Sequence, residues 1–102
     1  MAFFTFRQSN PGGFWSGPRF VVVEAENAKK ANAFAVAKTG IYFNGVQIGF
    51  DCGCCGDRWS RVDDEDATDT PVIWGEDPVA GISGEDTATV FFTNGDIEKF
   101  NQ

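Results

Sequence analysis

The chain has 102 residues, the size of one compact domain and too short for two independent cores. Hydrophobic residues make up 42% of it and aromatic residues 15%, which is enough apolar surface to form a core and excludes overall disorder. Eight basic and fifteen acidic residues give a formal charge of −7, the wrong sign for neutralising a phosphate backbone. We therefore expect a single soluble domain over residues 1–102 with no direct nucleic-acid binding.

The residue inventory also limits the chemistry. The chain contains no histidine, which excludes Ser-His-Asp and Cys-His catalysis and every histidine-ligated metal site. No apolar run approaches the roughly 20 residues that a membrane-spanning helix needs, and the N-terminus lacks the basic region and cleavage pattern of a signal peptide. We expect a cytoplasmic protein that is not an enzyme and does not bind a membrane.

The first third of the chain predicts two strands. Phe3–Arg7 is short, aromatic and β-prone, and it ends at the turn-forming residues Ser9–Gly13. Phe14 and Trp15 lie on this connection, where they either fold back onto the core or stand exposed for a partner. Arg19–Glu24 is a continuous β-branched run, which predicts a buried, central strand covered on both faces.

Residues 27–39 predict the helix of the domain. Asn27 suits the N-cap, alanine and lysine favour a helix, and Gly40 stands where a left-handed residue ends one. At helical spacing four residues share a face and should pack on the sheet: Ala28, Ala31, Phe34 and Ala35.

Two Asn-Gly pairs predict β-hairpins with two-residue turns. The first, Asn44-Gly45, lies within Ile41–Ile48, whose second arm is short. The second, Asn94-Gly95, lies within Thr87–Phe100 and is the stronger signal. A two-residue loop there predicts two cross-strand pairs: Phe92 with Ile97, and Val90 with Lys99.

These elements predict an α+β domain, with a mainly antiparallel sheet of four to six strands and one helix packed on one face. Pro71–Gly75 is a candidate edge strand, and residues 75–86 read as loop. If Phe20–Glu24 and Ile41–Phe43 are parallel neighbours, the helix is a right-handed crossover between them.

All three cysteines fall within four residues, and Cys52 and Cys55 have the C-x-x-C spacing that can aim two thiolates at one metal ion. A zinc site needs four ligands, so the rest would come from Cys54, Asp51, Asp57 or a second copy of the chain, which would make a homodimer. The metal reading therefore names Cys52, Cys54 and Cys55 as ligands and zinc as the cofactor.

Two other readings of the cysteines stay open. Arg58 nearby could lower the pKa of a thiol and permit reversible oxidation, although the motif does not open a helix as in thioredoxin-like proteins. Alternatively the cysteines are reduced thiols in a tight turn with no cofactor, and Trp59 packs into the core.

An acidic run follows at Asp63, Asp64, Glu65 and Asp66. It lacks the glycine and the final glutamate of an EF-hand, so a solvated loop is the plainer reading and a divalent-cation loop the alternative. Such carboxylates can also occupy a basic groove on a partner protein.

Four segments together resemble a family of small proteins encoded by tailed bacteriophages, including marine and cyanobacterial phages. They are Phe3–Gln8, Val21–Ala25 with Ala31–Ala33, Gly40–Gly45 and the Asp-Cys-Gly-Cys-Cys-Gly-Asp-Arg-Trp motif at residues 51–59, and the resemblance covers residues 1–75. Family members usually have proline between the first two cysteines, where this chain has Gly53. The resemblance implies a phage origin and expression in a bacterial host, and it carries no catalytic residue.

We therefore expect a phage accessory protein that binds and modulates a host protein, in host takeover or counter-defence. Exposed aromatic anchors with a charged rim suit such a surface. The candidate contacts are Phe14, Trp15, Trp74 and the acidic residues Asp63, Asp64, Glu65 and Asp66. The alternatives are a zinc-binding or redox protein centred on the cysteines, and a component of the virion.

Overall fold

The computed structural model describes residues 1–8, 19–49, 56–72 and 87–101. Within these ranges the elements follow the predicted order, with a short 3-10 helix at Asp64–Asp66 in addition. The helix and strands are β1 (Ala2–Arg7), β2 (Phe20–Ala25), α1 (Ala28–Lys38), β3 (Thr87–Phe91) and β4 (Ile97–Asn101).

The four strands form one mixed sheet in the order β1-β2-β3-β4. The two outer pairings are antiparallel and the central one, between β2 and β3, is parallel. The predicted α+β class and the central position of β2 are confirmed. The parallel neighbour of β2 is β3 and residues 41–43 form no strand, so the condition under which α1 would connect β2 to a parallel strand at Ile41–Phe43 is not met.

Helix α1 packs on one face of the sheet. Its buried side chains are Ala28, Ala31 and Ala35, and Phe34 is partly buried beside them. These small residues allow the helix to approach β2 closely, as the alanine pattern predicts. Asn27 caps the helix by accepting the Lys30 N–H at 2.9 Å, and Gly40 follows it with a φ of 84°.

Strand alternation divides the core into two clusters, one on each face of the sheet. On the helix side, β1 and β2 contribute alternate residues, and Ile41, Trp59 and Val62 join them from beyond the sheet. The other face buries five residues: Phe3, Phe20, Val22, Ala88 and Val90. The buried position of Trp59, which is 1% exposed, agrees with its predicted place in the core.

The predicted hairpin at residues 87–100 forms, but with a register one residue away from the prediction. Phe91 faces Ile97, and Lys99 faces Thr89. The turn has three residues because only Gly95 takes a positive φ, of 95°, whereas a two-residue type I′ turn needs positive φ at both positions. The Phe92 N–H donates to the carbonyl of Asp96 at 2.9 Å and closes the loop.

The predicted hairpin at residues 41–48 does not form. Asn44 takes a φ of 59°, and the chain continues into a helical turn over residues 45–49. The Ile48 N–H donates to the Asn44 carbonyl at 3.1 Å, which is a bond within one segment and not between two strands. Of the predicted edge strand, residues 71 and 72 form no strand and residues 73–75 lie outside the described ranges.

Candidate functional site

The acidic segment, Asp63–Asp66, is attached to helix α1 through the residue before it. The side chain of Asn32 bonds both backbone groups of Val62: its Oδ1 accepts the Val62 N–H at 2.9 Å and its Nδ2 donates to the Val62 carbonyl at 3.0 Å. Val62 itself packs in the core and is 7% exposed. The start of the acidic segment is therefore fixed to the domain.

Two carboxylates then fix the conformation of the acidic segment itself. Asp64 Oδ1 accepts the N–H of Ala28 at 2.8 Å, at the N-terminus of α1, where the helix dipole favours negative charge. Asp66 Oδ2 accepts the N–H of Asp63 at 2.8 Å across the 3-10 helix. All four acidic side chains remain exposed, so this turn presents them in a defined arrangement.

Two side chains of the acidic segment, Asp64 and Asp66, each accept a backbone N–H. Within residues 1–8, 19–49, 56–72 and 87–101, no group of three or more histidine, cysteine, aspartate or glutamate side chains is arranged to hold a metal ion.

The cysteine segment, residues 50–55, lies outside the described ranges, and so do the predicted ligands Cys52, Cys54 and Cys55. The residues that flank it are described. Asp57 Oδ1 accepts the N–H of Val46 at 2.9 Å, which joins the turn before the segment to the chain after it. This bond holds together the described residues on either side of the cysteine segment.

Arg58 follows Asp57 in the chain and is buried, with 3% of its surface exposed. Its Nη1 donates to Gln8 Oε1 at 2.9 Å, and its Nε donates to the hydroxyl of Tyr42 at 3.3 Å. The guanidinium therefore connects the end of β1 to the chain before the 45–49 turn. Sequence reasoning treated Arg58 only as a neighbour of the thiols, because nothing local signals that a charged side chain is buried.

The aromatic contacts predicted for a partner, Phe14, Trp15 and Trp74, also lie outside the described ranges. Of the predicted site residues, the structure therefore places the four of the acidic segment and brings them together on one turn. It adds a groove that the sequence analysis missed, with a volume of about 370 Å³, between β1 and residues 60–72. Its polar lining comes from residues far apart in the chain: Thr5, Arg7, Ser60, Arg61, Asp66 and Thr68.

Comparison with known proteins supplies a family but no activity. No curated protein and no solved structure matches the chain. Within the described ranges, no helix has both the length and the apolar character needed to cross a membrane. One family model matches residues 1–102, the full sequence. The chain therefore belongs to the family described as Domain of unknown function (DUF7296).

Proposed function

We propose that the protein is a non-enzymatic phage accessory protein that binds and modulates a host protein in the bacterial cytoplasm. The acidic segment is its contact for a basic surface on that partner. The observation that carries this proposal is the fixed conformation of the segment: Asp64 is bonded to α1 and Asp66 to the backbone of Asp63. The resemblance to tailed-phage proteins supports the setting.

A rigid acidic turn favours protein recognition for two reasons. Charges that are already arranged lose less conformational freedom on binding than charges on a mobile loop. A negative patch on a chain of net charge −7 also attracts a basic partner over a distance and raises the association rate. Glu65 is the acidic side chain in this segment most suited to a test, because Asp64 and Asp66 bond to the backbone of the domain.

The test is capture of a host protein from lysate by three forms of the chain. Glu65→Lys reverses a charge on the acidic segment, and Glu98→Lys makes the same change at an exposed position on β4. We expect the wild type and Glu98→Lys to retain the same host protein, and Glu65→Lys to lose about tenfold in affinity, which corresponds to roughly 1.4 kcal/mol. Retention should also weaken as salt is raised.

Equal affinities for Glu65→Lys and Glu98→Lys would contradict a role for the acidic segment. Failure of the wild type to retain any protein from the lysate of its host would contradict the proposed function as a whole.

The second candidate function is a zinc-binding or redox protein centred on Cys52, Cys54 and Cys55. The bond between Asp57 and Val46 supports it, because it holds together the described residues on either side of the cysteine segment. The test is the metal content of protein purified without added zinc. About one equivalent that is lost in Cys52→Ser supports a metal site. Absence of metal together with freely titrating thiols contradicts both the zinc and the disulfide forms.

A further inference from the structure

A second groove, of about 240 Å³, lies between helix α1 and the turn of the β3-β4 hairpin. It is at the end of the sheet where Ala2 faces Ala25 and Phe91 faces Ile97. We call it the Phe34 groove, after the aromatic side chain of α1 that lines it. Its walls combine the first residue of the chain, the end of β2, the first half of α1 and the hairpin turn.

Two contacts hold the walls of the Phe34 groove in place. The ring of Phe34 meets the ring of Phe91 edge to face, with 5.7 Å between the ring centres. Glu24 Oε1 accepts the N–H of Thr93 at 3.0 Å and the hydroxyl of Thr93 at 2.8 Å. A wall that is fixed before binding loses less conformational freedom when a ligand arrives.

The size and apolar lining of the Phe34 groove indicate the kind of group that fits. Met1, Ala25 and Phe34 supply the apolar lining. The volume of about 240 Å³ is below the roughly 300 Å³ at which small-molecule pockets begin, and it suits one large apolar side chain. Apolar side chains that enter such pockets contribute much of the affinity of protein interfaces.

Two carboxylates, those of Glu24 and Glu26, also line the Phe34 groove. Lys30 Nζ donates to Glu26 Oε2 at 2.5 Å, and the amino group of Met1 interacts with the charges of both carboxylates. Within the groove the charges therefore nearly balance. The bonds from Thr93 use Oε1 of Glu24, and a carboxylate accepts hydrogen bonds at both oxygens.

The acidic segment adjoins the Phe34 groove and gives this surface its sign. Asp64 accepts the N–H of Ala28, and the Cα atoms of Ala28 and Glu26, two residues apart, are at most about 7 Å from each other. Thr68, just after the acidic segment, exchanges two backbone hydrogen bonds with Phe3 near the start of β1. The segment and the groove together present six carboxylates against three ammonium groups, those of Met1, Lys29 and Lys30. The surface around the groove is therefore negative.

We infer that the Phe34 groove receives an apolar side chain of a protein partner, flanked in the partner by lysine or arginine. The inference rests on the proposed function in one respect, which is that the same partner presents a basic surface to the acidic segment. The apolar side chain packs on Phe34, and the basic neighbour donates to Glu24 Oε2. The charges speed association, and the apolar side chain slows dissociation.

The experiment selects binding peptides from a library of random linear heptapeptides, with the full chain as the target. The expected peptides contain an apolar residue next to lysine or arginine. Replacing that apolar residue by alanine should weaken binding at least about tenfold. In the wild type, a bound peptide should shift the NMR signals of the Ala25 amide and the Phe34 ring.

A pair of chain variants tests the charge of the groove. Glu26→Lys reverses a carboxylate whose side chain is 64% exposed, so losing its surface ion pair with Lys30 should change stability little. It should weaken the selected peptides about tenfold, because it replaces attraction with repulsion. Glu98→Lys makes the same change at an exposed position on β4 and should leave peptide affinity unchanged.

Three results would each overturn the inference: selected peptides without a basic residue, equal peptide affinities for Glu26→Lys and Glu98→Lys, or NMR shifts that spare Ala25 and Phe34. Dimerisation of the free chain that is lost in Glu26→Lys would assign the groove to a second copy and overturn it too.

Glu65→Lys separates the inference from the proposed function, since it should reduce capture of the host protein and leave heptapeptide affinity unchanged. A captured host protein that responds to Glu65→Lys, but binds Glu26→Lys and Glu98→Lys equally, would overturn the inference and leave the proposed function standing. Peptides that bind as expected, with no host protein retained from lysate, would support the groove and contradict the proposed function.

Discussion

The dipeptide Asn-Gly occurs twice in the described residues and takes two different conformations. At Asn44-Gly45 the asparagine has the positive φ, and the chain enters a helical turn. At Asn94-Gly95 the glycine has it, and the chain reverses into the β3-β4 hairpin. Both residue types enter the left-handed region more easily than other residues, so the dipeptide permits either outcome.

The surroundings decide between the two conformations. Strand β3 has a parallel partner in the buried central strand β2, which holds one arm of the second hairpin in extended form. Among the described residues, none pairs with residues 41–43 in this way. After them, the carboxylate of Asp57 accepts the N–H of Val46, as a capping side chain does at the start of a helix. The conformation of an Asn-Gly dipeptide therefore depends on whether the residues that flank it pair with a strand of the sheet.

Among the variants that test this comparison, Arg58→Met should have the largest effect on the free energy of unfolding. The change removes a buried guanidinium that bonds Gln8 and Tyr42, so these two partly buried side chains each lose this hydrogen bond. We expect the free energy of unfolding to fall by about 3 kcal/mol, measured by urea denaturation. Arg61→Met is the matched control, because Arg61 is exposed, and it should cost about 0.5 kcal/mol. Equal costs would show that the burial of Arg58 is not what stabilises this region.

The next largest losses of stability should come from Gly95→Ala and Gly49→Ala, which compare the two turns directly. Both glycines have positive φ, 95° and 86°, and a Cβ at either position meets no atom within 4 Å, so each variant introduces backbone strain alone. Gly95→Ala should cost about 1–2 kcal/mol, because the hairpin unfolds together with the sheet. Gly49→Ala should cost less, since residues 46–49 are exposed and this part of the turn can relax locally. Thermal denaturation measures both, and a larger loss for Gly49→Ala would reverse our ranking of the two turns.

A smaller effect should follow Asp57→Ala, which removes the acceptor of the Val46 N–H. We expect a loss of about 1 kcal/mol, the usual cost of deleting a capping side chain, and faster hydrogen exchange at Val46. The counterpart in the other turn is Asn94→Ala, which removes the acceptor of the Asp96 N–H at 2.9 Å. Its effect should stay within residues 92–97. Unchanged exchange at Val46 in Asp57→Ala would show that Asp57 does not hold the first turn.

The smallest expected effect is on how the stability of the protein depends on pH, through a contact between β2 and the turn of the hairpin. The backbone N–H of Thr93, and then its hydroxyl, donate to Glu24 Oε1 and hold the pKa of this carboxyl below its ordinary value. A lowered folded pKa stabilises the protein above the unfolded value of about 4.3, and the contribution disappears as the pH falls through the folded pKa. Glu24→Gln should therefore flatten the stability curve in that acidic range. Parallel curves for the two proteins would contradict this link between β2 and the turn.

Local patterns predicted most of the described fold. Three elements could be predicted from a few neighbouring residues each, and the structure contains all three. They are the aromatic strand β1, the valine-rich strand β2 and the alanine-rich helix α1 with its Asn27 cap. The β3-β4 hairpin was predicted too, but its register was wrong because Asn94-Gly95 fits a two-residue and a three-residue turn equally well.

The parts that could not be predicted depend on contacts between distant residues. Asp64 caps α1 from 36 positions away in the chain, and Asn32 bonds Val62 from 30 positions away. For this reason the sequence did not reveal that the acidic run, whose side chains are exposed, forms a fixed turn. The groove was missed for the same reason, since its walls come from β1 and residues 60–72.

The parallel pairing of β2 with β3 has a consequence for the speed of folding. Phe20 meets Ala88 across most of the length of the chain, whereas β3 and β4 meet across a three-residue turn. The hairpin can close in microseconds, but joining it to β2 requires a very large loop to close first, at a high entropic cost. We therefore expect refolding in the millisecond-to-second range, limited by the arrival of β3 at the valine strand.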